Sequence, residues 1–253
     1  MDGSPIESMF SLAGRSALVT GSSRGIGREI ARVFARAGAR VLVHGSRESA
    51  ALREAAAGCG GIPVTGDLTC PEGVEALIAA CRAAAPAVDI LVLNASVQKY
   101  VELGEFDDAE FLREFRANVA ASFRLAEAFS PAMCERKWGR IIAVGSVNQL
   151  RPSPRLTLYS ATKAAQMSLT ANFAKTLAPC GVTVNCLVPG VILTDRNVEP
   201  LKDEAYREKV LGLVPCGFFG ETSDCAGAAL LLASDAGRYI TGIELPVTGG
   251  MHL

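Results

Sequence analysis

Tyr159 and Lys163 stand four residues apart, so on a helix they share one face, a turn from each other. A tyrosine phenol titrates near pH ~10 and is a poor base at neutral pH. An ammonium about 4 Å away, at an effective dielectric of ~20, favours the phenolate by ~4 kcal/mol. That is about three pKa units, which brings the phenol near 7, where general acid–base transfer works best. Taken alone, a Tyr-x-x-x-Lys pair is a common feature of helix surfaces, and its neighbours give it weight. Upstream, Val144-Gly145-Ser146 closes a run that reads as a strand. A serine there can hydrogen-bond a substrate carbonyl oxygen and stabilise the alkoxide that develops on it.

A second chemical feature lies near the N-terminus. Residues 16–20 form a short apolar run, followed by Gly21-Ser22-Ser23-Arg24-Gly25-Ile26-Gly27. A helical pattern comes next, with Ile30, Val33, Phe34 and Ala37 inward and a stop at Gly38; Val41-Leu42-Val43 is then a buried strand. Strand, glycine turn, helix and strand make a βαβ unit. The spacing Gly21-x-x-x-Gly25-x-Gly27 differs by one residue from G-x-G-x-x-G, and its physics is the same. Gly21 permits a tight turn out of the strand, Gly25 lets backbone approach a pyrophosphate, and Gly27 lets helix and strand pack closely. The helix N-terminus offers free N–H groups and partial positive charge, so Ser23, Arg24 and Ile26 join the glycines as candidate phosphate and cofactor contacts.

About 20 residues further on, a dinucleotide fold places the acid that holds a ribose 2′-hydroxyl. Here the chain has His44-Gly45-Ser46-Arg47 and no acid. Ser46 and Arg47, with Arg24, suit a 2′-phosphate, because the guanidinium fork binds phosphate bidentately. The expected cofactor is NADP rather than NAD; Glu48, close by, is the feature pointing the other way.

Positioning these groups requires a sheet. Helices are expected over 49–58, from Pro71 to about 85, and over 157–178, 203–213 and 223–234. A long helical stretch capped by Asp107 or Asp108 should reach Lys137, broken near Ser122 or Pro131. Strands are expected over 62–65, 88–93, 140–144, 182–188 and 243–247. Seven strand-like runs thus alternate with helices, and their near-continuous Val/Ile/Leu composition indicates a parallel sheet covered on both faces. The expected fold is one doubly wound α/β domain of the Rossmann type, spanning residues 1–253. The charged stretch 194–219, with Pro200, Gly212, Pro215 and Gly217, sits between the last two strands and is placed to be a substrate lid.

Bulk composition excludes other classes. The chain has 253 residues, 49% hydrophobic and 20% charged, which supports a sizeable core. A net charge of -1 with interspersed signs gives no footprint for nucleic acid. Eight cysteines with no C-x-x-C pair read as reduced thiols, and two histidines are too few for the usual zinc sites, so no metal is expected. No apolar run approaches the ~18 residues of a membrane span, and the first residues lack the features of a leader, so a soluble cytoplasmic protein is expected.

At this point the sequence resembles the short-chain dehydrogenase/reductase family from about Leu12 to Met251. The resemblance rests on residues 20–27, Gly66-Asp67-Leu68, Asn94-Ala95, Asn118, Gly145-Ser146, Tyr159-Ser-Ala-Thr-Lys163, Val184-Asn185, Pro189-Gly190 with Thr194, and Gly249-Gly250. It implies that Tyr159 gives a proton to the carbonyl in reduction and takes one in oxidation. Lys163 would also bind the nicotinamide ribose, Ser146 would orient the substrate, and Asn118 would hold a water that links Lys163 to solvent. Asp67 and Leu68 would contact the adenine. Pro189, Gly190, Val191, Ile192 and Thr194 would close over the nicotinamide. The family usually has Asn-Ala-Gly where this chain has Asn94-Ala95-Ser96, so Ser96 adds a side chain beside the cofactor's ribose.

The helix carrying Tyr159 is apolar or small almost all round, and Phe111, Phe115, Val119 and Phe123 line another; the resemblance suggests a homotetramer built on such helices. The substrate pocket should draw on Asn148, Gln149, Leu150, Arg151, Pro152 and Arg155, and on Asp195, Arg196 and Asn197. Polar groups of this kind suit a sugar, polyol or keto acid, and Arg151, Arg155 and Arg196 could clamp a carboxylate or phosphate. A 3-oxoacyl thioester is the main rival, also from the resemblance. A non-catalytic cofactor-sensing protein is the reading from another class; the presence of Ser146, Tyr159 and Lys163 opposes it.

Overall fold

The computed structural model describes residues 5–253; residues 1–4, part of the segment read above for leader features, lie outside the described residues. After a short helix α1 (Pro5–Phe10), the chain runs β1 (Ser16–Val19), α2 (Gly25–Arg36), β2 (Arg40–Gly45), α3 (Ala50–Ala57), β3 (Ile62–Thr65), α4 (Pro71–Ala84) and β4 (Ile90–Leu93). It continues through α5 (Asp108–Phe115), α6 (Ala121–Glu135), β5 (Gly139–Val144), α7 (Thr157–Leu177), β6 (Val182–Pro189), α8 (Asp195–Val198), α9 (Glu204–Leu211), α10 (Thr222–Ala233) and β7 (Glu244–Val247). The seven strands form one sheet in the order β3-β2-β1-β4-β5-β6-β7, every pairing parallel.

Alternation along each strand divides the core into two layers. Ala17 and Val19 of β1, Ile90 and Val92 of β4, and Ile142 and Val144 of β5 pack with α2, α3 and α10. Leu18, Leu91, Leu93 and Ile141 pack on the other face with α4, α6 and α7. Both faces are therefore apolar, which is why these strands show no polar alternation in the sequence. Strand order reverses between β1 and β4, and the carboxyl ends of those two strands open the crevice in which a doubly wound sheet binds ligands.

The long helix before β5 differs from expectation. Asp107 caps it, its side chain accepting the Glu110 N–H at 2.7 Å, but the distortion is a π-helical turn over Arg116–Ala120. The helix passes through both Ser122 and Pro131 and ends at Glu135. The widened turn rotates Asn118 inward, where the loop after β4 holds it. Residues 194–219 carry α8 and α9 over a small core of their own, with Leu201, Val210 and Phe219 buried together. Among the described residues, no helix is long and apolar enough to cross a membrane, and no group of three or more His, Cys, Asp or Glu is placed to hold a metal ion.

Candidate active site

The carboxyl ends of the strands border a cleft of about 980 Å³ that runs from the glycine turn to Tyr159 and on to the 194–219 segment. Thr20 stitches β1 to β4 at its floor. Its hydroxyl donates to the Val92 carbonyl at 3.1 Å and accepts the N–H groups of Asn94 and Ala95 at 2.9 and 3.0 Å. The Asn94 amide donates in turn to the carbonyls of Thr20 and Gly21. Gly27 packs into this knot. A Cβ there would lie 2.4 Å from Asn94 Nδ2 and 2.7 Å from the Gly21 carbonyl, so the helix can start only where no side chain intervenes.

His44, at the end of β2, is the part of this turn that the sequence did not disclose. It is 2% exposed, its Nδ1 accepts the Gly21 N–H at 2.9 Å, and its Nε2 pairs with the Gly66 carbonyl at 2.9 Å. Those two partners require the neutral tautomer protonated on Nε2. Burial pushes its pKa down, against smaller upward pulls from the Gly66 carbonyl and Asp67. His44 thereby ties the turn after β1 to the end of β3.

Of the proposed cofactor residues, Gly21, Ser23, Arg24, Gly25, Ile26, Gly27, Ser46, Asp67, Leu68, Asn94, Ala95, Ser96, Tyr159, Lys163, Pro189, Gly190, Val191, Ile192 and Thr194 all border the cleft. Arg47 does not. The chain turns after Ser46 toward the Ser49 cap of α3 and carries Arg47 into solvent, while Glu48 pairs with Arg53 at 3.2 Å. Of the three residues suited to a 2′-phosphate, Ser46 and Arg24 border the cleft.

Ser146 lies two residues beyond β5 and caps a single 3-10 turn. Its hydroxyl oxygen accepts both the backbone N–H and the side-chain amide of Asn148 at 3.2 Å, leaving its own O–H free to donate elsewhere. Its backbone N–H is held by Gln149 Oε1 at 3.1 Å, and the Gln149 amide is anchored on Glu244 Oε2 at 2.8 Å. Ser146 is therefore braced from β7, a link of nearly a hundred residues that no local pattern announces.

Tyr159 and Lys163 both lie on α7 and both are buried. Lys163 Nζ donates to the Val144 carbonyl at 2.7 Å and to Gln166 Oε1 at 2.8 Å, and lies 5.5 Å from the centre of the Tyr159 ring. Burial pushes the Lys163 pKa down to about 7. Burial also raises the Tyr159 pKa. Against that act the charge of Arg196 first, then hydrogen bonding with Ser146, Ser96 and Arg196. The pair thus differs from the spacing argument, in which a permanent ammonium drags the phenol to neutrality. Burial disfavours the charged form of each group, and the charge acting on the phenol is that of Arg196.

Asn118 does not border the cleft. It is buried behind it, its Oδ1 accepting the Val97 N–H and its Nδ2 donating to the Val97 carbonyl and to Thr162 Oγ1 at 2.9–3.0 Å. Its backbone carbonyl accepts from Ser122 Oγ, which accepts from Gln166 Nε2, which leads to Lys163. Asn118 is thus joined to the lysine by side chains, and its own amide is occupied in holding the loop after β4.

Known proteins share this path of the chain. A family model described as short chain dehydrogenase matches residues 15–205. The L-rhamnose 1-dehydrogenase (NAD(P)(+)) of Azotobacter vinelandii is 39% identical over 251 residues, covering 96% of this chain and 98% of the relative. A 3-oxoacyl (acyl-carrier-protein) reductase from Agrobacterium tumefaciens, crystallised with NADP bound, superimposes with a TM-score of 0.90 at 39% identity, covering 98% of each chain. A gluconate 5-dehydrogenase from Burkholderia cenocepacia, in complex with NADP and tartrate, gives a TM-score of 0.90 at 33% identity, covering 97% of this chain and 98% of that one. Agreement along nearly the whole length, in sequence and in backbone path alike, places this chain in the short-chain dehydrogenase family of oxidoreductases.

Proposed function

We propose that the protein is an NADP-dependent oxidoreductase acting on a carbonyl or secondary alcohol of a sugar, polyol or keto acid. The observation that carries this reading is the meeting of Ser146 and Tyr159 at the far end of the cleft that begins at the glycine turn. The cleft fits a dinucleotide. Arg24, the N-cap of α2, makes no side-chain capping bond, which leaves the helix's first N–H groups for phosphate. Gly25 has φ +58°, a left-handed conformation, and a Cβ on it would stand 3.5 Å from Thr194 Cγ2, filling the gap between the turn and the 189–194 stretch. Relatives carrying NADP agree with this fit.

When bound, NADP supplies or takes the hydride. The chain's own residues handle the oxygen and the proton. Ser146 donates its free O–H to the carbonyl oxygen, and Tyr159 gives that oxygen a proton in reduction or takes one in oxidation. Lys163, fixed by Val144 and Gln166, is placed for ribose hydroxyls on the cofactor side. Asn118 acts as a positioning residue, holding Val97 against α7. The 194–219 segment serves as the substrate lid over one cytoplasmic Rossmann-type domain. Phe111, Leu112 and Phe123 are exposed along α5 and α6, an apolar surface that a homotetramer would cover.

The test is a screen of NADPH oxidation and NADP reduction over sugars, polyols, keto acids and 3-oxoacyl thioesters. The thioesters belong in it because of the likeness to the Agrobacterium reductase. Tyr159→Phe should lower turnover by roughly 10²–10⁴-fold. Turnover that survives in this variant overturns the mechanism, and light scattering that finds a monomer overturns the tetramer.

A further inference from the structure

Three arginines were candidates to grip an anionic substrate, and the structure separates them. Arg155 pairs with Glu102 at 2.8 Å and does not border the cleft. Arg151 borders the cleft, with Nη1 on the Met251 carbonyl at 2.7 Å. Arg196 reaches from α8 across the cleft mouth to the loop after β4. Its Nη1 donates to Gln98 Oε1 at 3.1 Å and its Nη2 to the Ser96 carbonyl at 3.3 Å. Both partners are uncharged, and no described carboxylate forms an ion pair with Arg196, although Asp195 is its neighbour in sequence and borders the same cleft.

We propose that Arg196 is the carboxylate receptor of the substrate site, and that the substrate is a hydroxy acid, or its oxo acid, whose carboxylate lies one or two carbons from the reacting carbon. This rests on the oxidoreductase reading above and narrows it. A guanidinium has five N–H donors, and neutral contacts with Gln98, the Ser96 carbonyl and the Tyr159 hydroxyl leave donors for a carboxylate. Its place sets the spacing. Arg196 faces the Tyr159 hydroxyl alongside Ser146 and Ser96, so an anion held there lies next to the bond that reacts.

The electrostatics point the same way. The charge of Arg196 repels that of Lys163, adding to the burial that lowers the Lys163 pKa. A bound carboxylate offsets that repulsion, whereas a neutral aldose or polyol leaves it in place. A 3-oxoacyl thioester brings no charge near its reacting carbonyl, so it too leaves Arg196 unmatched.

The experiment uses the full chain saturated with NADP. Steady-state oxidation is measured for tartrate, 3-hydroxybutyrate and gluconate, each beside its uncharged amide. Thermal stabilisation by tartrate and by tartramide is measured in parallel, as a readout that needs no turnover. At least one acid should exceed its amide roughly hundredfold in kcat/KM, in line with a charge-assisted bidentate contact. Arg196→Gln should bring that ratio close to one and abolish the tartrate-specific stabilisation, and Arg196→Lys should recover part of both. Amides that serve as well as acids, no tartrate-specific stabilisation, or equal losses on acid and amide in Arg196→Gln would each overturn the assignment. Neutral substrates oxidised in a Tyr159-dependent way without any acid preference would leave the oxidoreductase reading standing and remove only the role of Arg196. If no compound in the panel turns over, the tartrate stabilisation and its response to Arg196→Gln still decide.

Discussion

His44 offers a prediction that depends on the fold rather than on the substrate. Replacing it with Leu removes both ring hydrogen bonds, leaving the Gly21 N–H and the Gly66 carbonyl without their partners. Each buried backbone group stranded in this way costs about 1–3 kcal/mol, so the substitution should destabilise by about 2–6 kcal/mol. For a chain of this size, each kcal/mol lowers Tm by about 2–4 °C, so melting should fall by at least ~4 °C. The same tether holds the glycine turn, so NADP affinity should drop about tenfold or more, one tenfold step being about 1.4 kcal/mol.

The pH dependence supplies a second, sharper signature. His44 is neutral when folded, and burial lowers its pKa below the unfolded value of about 6.5. Below that value the unfolded chain binds a proton that the native ring refuses, so stability is present above pH ~6.5 and is lost as pH falls toward the folded pKa. The loss approaches at most about 1.4 kcal/mol per pH unit. Between pH 7.5 and 5.5 the wild type should therefore lose Tm faster than His44→Leu, which has no such group. Calorimetry or thermal melts at several pH values measure both effects, and nitrogen NMR of the ring should show the tautomer protonated on Nε2. A variant that melts within 2 °C of wild type, with the same slope against pH, would refute the tether.

Three further expectations follow from the same contacts. Gly27→Ala forces a Cβ to within 2.4 Å of Asn94 Nδ2, so overpacking should cost about 1–3 kcal/mol and weaken NADP binding; a calorimetric titration matching wild type would contradict this. Asn118→Ala strips both backbone groups of Val97 of their partner, so it should lower stability by about 2–4 kcal/mol and kcat with it, as denaturant unfolding and kinetics can establish. Because burial keeps the Tyr159 phenol protonated at neutral pH, reduction should stay level there, while alcohol oxidation, which needs the phenolate, should climb from pH 7 to 10. A flat or falling oxidation profile over that range argues against Tyr159 as the base.

The readable and unreadable parts of this protein divide along physical lines. The βαβ order, the glycine turn and the strand ends at Ser146 and Asn94 follow from local pattern, because the periodicity of buried residues and the demands of a tight turn are written in adjacent positions. Contacts that join distant segments leave no such trace. His44 looks like any strand residue until Gly21 and Gly66 are brought to its two nitrogens. Gln149 looks like a loop amide until β7 sets Glu244 behind it. Helix spacing put Tyr159 and Lys163 on one face correctly, yet it could not supply the desolvation that reverses the expected pKa effect, since burial is a property of the whole fold. Residue type suited Arg47 to a 2′-phosphate and Arg196 to a carboxylate or phosphate, and neither side chain could be placed from the sequence. The path of the chain after Ser46 turns one outward, while the α8 segment swings the other over the Tyr159 phenol. On the proposed reading, substrate selection falls where residues 194–219 meet the loop after β4. Substitutions at Ser96, Gln98 and Arg196 should move substrate preference more than changes anywhere in the glycine turn, which serves the cofactor alone.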